Sequence, residues 1–473
     1  MNSYLKNPMF TVKEISSAIN GRILLGENEV KIYGVSTDTR KIRKGDLFIA
    51  LRGEKYDGNS FLREAERKGA KVLITDNDYS TSKEFKSEII YVDDCLETLG
   101  DLARFYRLKF NLPVVCVTGT NGKTSTKEML FSILSQKNNT LKTEGNLNNL
   151  VGLPMQIFNL DKEHKKAVFE IGMNRVGEID RLSEIAIPQV GVITNIGKAH
   201  LESLCTLESV RDAKGEMINR ISEDGFMVFS GDDKNKSFFK KKSEDRGLKV
   251  LTFGTSDCND LFFEDVFFPY ENGTKFNLFC HGEKNKVWIP QFGYHSVLNA
   301  LAAATASICL GVSIEEIIEG LRQSSNLPMR MKVRPIPKYE NSFLIDDSYN
   351  ANPDSMLSSF STATILKKEA KLFIVLGDMS ELGKLKSELH TELIRELFKM
   401  SIGKNCVFIL VGLLMTEAAE EIRKDTELIN LESFMSLEDS LSWFYENFSK
   451  GDWVLVKGSR VSRMERFSEE ILN

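Results

Sequence analysis

The sequence predicts an α/β protein in three parts: a small N-terminal α/β domain over residues 1–108, a central domain over 109–329 built on a mostly parallel sheet with a phosphate-type loop, and a doubly wound C-terminal domain over 330–473. Three observations carry this. VVCVTGTNGKTST, from Val114 to Thr126, reads as strand, glycine loop and helix. After residue 330, the same strand-then-helix grammar recurs in FLIDDSYNANPDSM, KLFIVLGDMSELG, CVFILVGLLMTEAAEEI and DWVLVKGSR. Finally, 473 residues exceed what one core holds, and the length prior gives about three domains.

Bulk composition narrows the function classes. With 42% hydrophobic and 27% charged residues the chain has the balance of a globular protein, and no apolar run is long enough to span a membrane. The first residues, MNSYLKNPMFTVKE, lack the apolar core of a signal peptide. A net charge of -5 argues against nucleic acid as the main partner, which calls for a concentrated basic face. The cysteines, at 95, 116, 205, 258, 280, 309 and 406, show no metal-site or redox spacing. They indicate a reducing, cytoplasmic setting. Nothing demands more than a monomer.

In the first segment a helical pattern from Val12 to Ile19 precedes short strands and the stretch GVSTDTRKIRKGDLFIAL. Ser36, Asp38 and Arg40 fall in one loop, where hydroxyl, carboxylate and guanidinium can grip a phosphorylated sugar nucleotide. The same residues also make an ordinary turn with a surface ion pair, the reading that sequence chemistry favours.

The central segment holds the phosphate loop. Thr118 ends the strand, Gly119, Thr120, Asn121 and Gly122 turn, and Lys123, Thr124 and Ser125 open the helix. Backbone N–H groups at a helix N-terminus attract phosphate oxygens, Lys123 adds a point charge, and the Thr124 hydroxyl suits Mg2+. ATP is the expected ligand. The loop is a compact variant, since Val117 stands where the standard spacing wants a small residue. Asn146, Asn148 and Asn149 follow in TEGNLNNLVGLP, suited to a peptide or sugar, or equally to capping and turning the chain. Glu170 and His200 each stand just past an apolar run. Strand ends of a parallel sheet share one crevice, so both are expected to face the same ligand as Lys123. Glu170 with Thr124 fits Mg2+, for which histidine is a less usual ligand. LESVRDAKGEMINRI reads as one helix with Lys214 on its solvated face, and Asn299 is the polar exception in an Ala-rich helix. In the last segment Asp347, Tyr349 and Asn350 crowd a strand-end loop that could close over nucleotide as a hinged lid.

Taken together, STDTR, KGDLFIALRGEKYDGNSF, TGTNGKTSTKEM, TEGNLNNLVGLP, FEIGMNRVGEI, TNIGKAHLE, AKGEM, NALAAA, DDSYNANPDSM, VLGDMSELG and KGSR resemble the Mur ligases, ATP-dependent amide-bond enzymes of bacterial cell-wall synthesis. GNLNNLVGLP with DDSYNANP points to the branch that adds D-alanyl-D-alanine. The resemblance implies a Rossmann-like C-terminal domain, an N-terminal domain that binds a UDP-sugar, and UDP-N-acetylmuramoyl-tripeptide and D-alanyl-D-alanine as substrates. It further implies catalytic roles for Lys123, Glu170, His200 and Lys214. One Mg2+ would sit at Thr124 and Glu170 and a second at His200, and Lys214 matches the lysine that in this family is typically carbamylated, which turns it into a carboxylate-like metal ligand. Asn299, Arg330 and Asp347 would reach the nucleotide, and Ser36, Asp38 and Arg40 the uridine diphosphate. Met329 stands where the family usually has glycine, and SLCTLES follows Leu201-Glu202 where it tends to have glycines. The other readings are a sister ligase that adds one amino acid or extends folate with glutamate, and a nucleotide-dependent binding switch without ligation.

Overall fold

Residues 8–25, 29–79, 85–199, 201–269, 273–424 and 430–473 are described by the structure, a computed structural model. A capping box opens the first helix, Val12–Ala18: Thr11 Oγ1 accepts from the Glu14 N–H while the Glu14 carboxylate accepts from the Thr11 N–H. Five strands then form a sheet in the order Arg22–Leu25, Glu88–Tyr91, Val72–Thr75, Leu47–Ile49, Val35–Ser36, parallel except at the first pair. The inner strands are apolar runs buried on both faces, as parallel strands must be. The helix Cys95–Arg107 joins this sheet to the next. Its Tyr106 hydroxyl donates to Leu160 O at 2.9 Å, and Arg107 donates to the carbonyls of Ala186, Phe110 and Leu112.

The central sheet has nine strands. Thr140–Lys142, Lys166–Glu170, Val114–Thr118, Val190–Ile193, Phe226–Ser230, Lys249–Gly254 and Leu261–Phe267 run parallel, and Thr274–Cys280 and Glu283–Ile289 add an antiparallel edge. Val114–Thr118 lies between the strands that end at Glu170 and Ile193, with Glu170 opposite Val117 and Ile193 opposite Thr118. This register sets the ends of all three at one level. Behind them the helix Lys123–Leu134 packs against Ile314–Arg322 so closely that a Cβ on Gly320 would lie 2.3 Å from Ile133 Cα. The stretch around Lys214 departs from the single helix expected: an α-helix, Leu207–Gly215, gives way to a 3-10 turn, Glu216–Arg220.

The C-terminal sheet orders Lys332–Pro335, Phe343–Asp346, Trp453–Lys457, Leu372–Gly377, Cys406–Val411 and Leu431–Phe434, parallel apart from its first strand. Its helix Pro353–Leu366 begins with Asn352 as N-cap and Pro353 in the first turn, which fixes where the helix starts. Among the described residues no helix is long and apolar enough to cross a membrane.

Candidate active site at the phosphate loop

Two glycines give the 119–122 loop its shape. Gly119 and Gly122 have φ of 147° and 82°, and a Cβ on them would lie 1.9 Å from Thr194 Oγ1 and 2.1 Å from Asn299 Oδ1. The loop is braced from the neighbouring strand end. Thr194 Oγ1 and Asn195 Nδ2 donate to Asn121 O at 2.5 and 3.0 Å, and the Asn121 N–H donates to Asn195 Oδ1 at 2.9 Å. Lys123 Nζ folds back to donate to Gly119 O at 2.8 Å and Thr120 O at 3.0 Å. Burial draws its pKa below the usual lysine range, against the attraction of Glu170.

This loop floors a cavity of about 830 Å³ that the central and C-terminal domains enclose together. Thr120, Asn121, Gly122, Lys123, Thr124 and Ser125 line one side. Glu170 and Lys214 line it as well, as do Asn146, Asn148 and Asn149. Glu170 is only 2% exposed; its Oε1 accepts from Asn148 Nδ2 at 2.7 Å, while its Oε2 is buried without a hydrogen-bond partner. A buried, unsatisfied carboxylate oxygen beside a phosphate loop is the donor that a hard divalent cation takes, so the residues present fit Mg2+. Among the described residues no group of three or more His, Cys, Asp or Glu could hold a metal.

Lys214 corrects the sequence reading. It is 1% exposed rather than on a solvated face, and at the next residue, Gly215, the rings of Phe238 and Phe239 pack against the helix end. Burial first, and then the positive charge of Lys123, hold its pKa well below the lysine value.

Arg330, Asp347, Tyr349 and Asn350 line the facing side. Arg330 lies over the Tyr349 ring, 4.2 Å from its centroid, and donates to Thr124 Oγ1 at 3.1 Å. Asp347 accepts from the Met331 N–H at 3.1 Å and from Lys457 Nζ and Ser359 Oγ, both at 2.5 Å. Asn299 presses on Gly122, and its Oδ1 accepts from Thr126 Oγ1 at 3.4 Å.

Comparison with known proteins accounts for this arrangement. Three family profiles match in succession: "Mur ligase family, catalytic domain" over residues 31–107, "Mur ligase middle domain" over 117–307 and "Mur ligase, glutamate ligase domain" over 329–460. The UDP-N-acetylmuramoyl-tripeptide--D-alanyl-D-alanine ligase of Bacillus subtilis (strain 168) is 35% identical over 98% of each chain. The chain belongs to the Mur ligase family. Among solved structures it is similar to MurF from Acinetobacter baumannii, with a TM-score of 0.89 and 30% identity over 98% of this chain and 99% of that one. MurF from Thermotoga maritima, solved in complex with ADP, follows with a TM-score of 0.80 and 29% identity over 93% and 96%. The protein is therefore an ATP-using ligase that forms amide bonds.

In this Mur ligase the departures from the family pattern have visible consequences. Met329 keeps a left-handed backbone, φ 56°, although it has a side chain, and Met331 follows with φ 49°. Left-handed residues other than glycine cost about 1 kcal/mol each. After residue 200 the chain forms a short helix, Leu201–Leu204, whose Glu202 N–H donates to Glu381 O at 3.1 Å. The glycine-poor loop thus docks on the C-terminal domain.

Other expected site residues lie elsewhere. Thr118 and Gly119 form the stem of the loop and do not line the cavity. Asn149 also braces the turn into the next helix, its Oδ1 accepting from the N–H groups of Val151 at 3.2 Å and Gly152 at 2.8 Å. Ser36, Asp38 and Arg40 do not line the cavity. They satisfy one another: Ser36 Oγ donates to Asp38 O at 2.9 Å, and Arg40, its side chain 83% exposed, forks onto the Asp38 carboxylate. Arg40 holds the Asp38 pKa down to about 2. His200 lies outside the described residues. Asn352, in the same strand-end loop as Asp347, Tyr349 and Asn350, lines the cavity with them, whereas the sequence reading missed Asn195, His295 and Lys457, which line it too. Lys457 ends an apolar strand in KGSR, the same signal that marked Glu170.

Proposed function

We propose that this Mur ligase joins D-alanyl-D-alanine to UDP-N-acetylmuramoyl-tripeptide, giving the UDP-N-acetylmuramoyl-pentapeptide, ADP and phosphate. The observation that carries the reading is the shared cavity in which Lys123, Thr124, the open oxygen of Glu170 and Lys214 face Arg330 and Asp347. The likeness to a ligase of that name over 98% of both chains supports the choice of substrates.

ATP phosphates rest on the N–H groups of the Gly119–Thr124 loop, with Lys123 exchanging its carbonyl contacts for phosphate oxygens. The terminal carboxylate of the tripeptide attacks the γ-phosphorus, ADP leaves, and an acyl phosphate forms. The free amine of D-alanyl-D-alanine then attacks the acyl carbon, loses a proton, and expels inorganic phosphate. Thr124, Glu170 and a carbamylated Lys214 would hold Mg2+, with His200 the expected ligand of a second ion. Bound there, Mg2+ supplies charge neutralisation at the phosphoryl oxygens. A neutral, buried Lys214 amine is the form that adds carbon dioxide, and the resulting carbamate carries the negative charge a cation site needs. Asn299, Tyr349 and Asn350 face the nucleoside, and Ser36, Asp38 and Arg40 face the uridine diphosphate. No nucleic acid is a partner, and the enzyme works as a cytoplasmic monomer.

ADP release measured against a panel of UDP-muramoyl peptides and amine donors tests this. Turnover is expected only when the tripeptide precursor and D-alanyl-D-alanine are both present, and Lys123→Ala abolishes it. ADP release independent of substrate would favour the binding switch, and a preference for a single amino acid would favour a sister ligase.

A further inference from the structure

The phosphate loop meets the C-terminal domain through a pair of amides. Asn121 Nδ2 donates to Asn352 Oδ1 at 3.2 Å, and Asn352 Nδ2 donates back to Asn121 Oδ1 at 2.8 Å. Both side chains line the cavity, and neither carries charge. Each is anchored on a rigid element of its own domain. The Asn121 peptide is clamped by Thr194 and Asn195 at the end of the Val190–Ile193 strand. Asn352 Oδ1 also accepts from the Ser355 N–H at 2.9 Å, capping the helix Pro353–Leu366. The seam is tight here: Asp354 on the same helix accepts from the Lys198 N–H at 3.0 Å, and a Cβ on Gly197 would lie 2.4 Å from its carboxylate.

An amide that both caps a helix and bonds across a domain boundary can make the second contact only when the domains are docked. We propose that Asn352 is a positioning residue for phosphoryl transfer, which couples docking of the C-terminal domain to the conformation of the phosphate loop through Asn121. With the domains apart, Asn352 keeps its cap and the loop loses its outer support. With them docked, the reciprocal pair fixes the Asn121 side chain, and with it the crown of the loop. The inference rests on the ligase reading above.

Asn352→Ser isolates this role, because serine caps a helix as well as asparagine but is too short to reach Asn121. The full-length variant is expected to keep the melting temperature of the wild type. Loss of two neutral hydrogen bonds made in the docked state should lower kcat for ADP release roughly tenfold, with KM for ATP changing less than about threefold. Hydrogen exchange of the 119–124 amides, measured with a non-hydrolysable ATP analogue, should be faster in the variant. Asn121→Ser combined with Asn352→Ser should be no slower than the slower single variant, since both remove one interaction. The proposal is overturned by unchanged kcat together with unchanged exchange, by losses that multiply in the double variant, or by a melting temperature that falls in step with kcat. Wild-type protein that releases no ADP with the substrate pair would instead remove the ligase reading, while the exchange measurement still tests the coupling.

Discussion

Lys457 Nζ lies 2.5 Å from Asp347 Oδ2, an ion pair buried at the ends of two adjacent parallel strands, with side chains only 4% and 13% exposed. The same ammonium donates to Asn350 O at 3.0 Å and to Asp347 O at 3.4 Å. Asp347 in turn accepts from Met331 and Ser359, so one lysine shapes the loop that carries Tyr349 and Asn350 and ties it to the domain junction beside Arg330.

Replacing Lys457 by Met leaves the Asp347 carboxylate buried without its counter-charge. Removing one partner of such a pair costs about 3 kcal/mol or more. Lys457→Met should therefore lower the melting temperature clearly and raise KM for ATP, because the loop facing the nucleotide loses its internal brace. A thermal melt and an ATP titration check both. An unchanged melting temperature would mean that the pair is not buried in solution.

Glu170→Gln keeps the size of the side chain and an oxygen to accept from Asn148, but removes the charge from the open Oε2 position. Loss of one electrostatic group of this kind lowers kcat by roughly 10²–10³-fold. The melting temperature should not fall, since an unpaired buried carboxylate oxygen is itself unfavourable. Turnover at different Mg2+ concentrations reads the result: the variant should need more Mg2+, and wild-type turnover at low Mg2+ would contradict the assignment.

Much of this layout is legible in the sequence, and the reasons are physical. Strand, glycine pair and helix leave a local pattern, so the phosphate loop and the strand-end position of Glu170 could be read from a few residues. The doubly wound C-terminal sheet was legible in the same way, from apolar runs alternating with helical periods. Lys214 was not: LESVRDAKG is polar enough to read as a solvated face, and its burial is set by how that helix packs in the folded domain, which no local pattern states. The Asn121–Asn352 pair spans 231 residues, and no local pattern announces it. At Ser36, Asp38 and Arg40 the geometry is that of the capped turn and surface ion pair weighed from the sequence.

Lys214→Ala should lose nearly all turnover if its carbamate holds a cation, and short-chain carboxylic acids should restore part of it by placing a carboxylate in the vacated space. Carbon-labelled bicarbonate should give a carbamate signal in the wild type that is lost in Lys214→Ala. Absence of rescue together with absence of that signal would restrict Lys214 to a packing role.

His390, buried in the helix Lys386–Ser401, gives the protein a pH dependence with a definite sign. Its Nδ1 donates to Lys386 O at 2.6 Å while its Nε2 accepts from the Met379 N–H at 2.9 Å, an arrangement open only to the neutral ring. Burial accordingly holds its pKa below the ordinary histidine value of 6.5. The unfolded chain takes up the proton first, so this contribution is complete above the unfolded value and is lost as the pH falls toward the folded one. Met379 precedes Ser380 and Glu381, which line the cavity, so a charged His390 would release the strand-end loop on that side of the site. Wild-type protein should lose melting temperature between about pH 7.5 and about pH 5.5, and His390→Gln, which does not titrate there, should lose less. Equal slopes for the two proteins would show that His390 is not the group responsible.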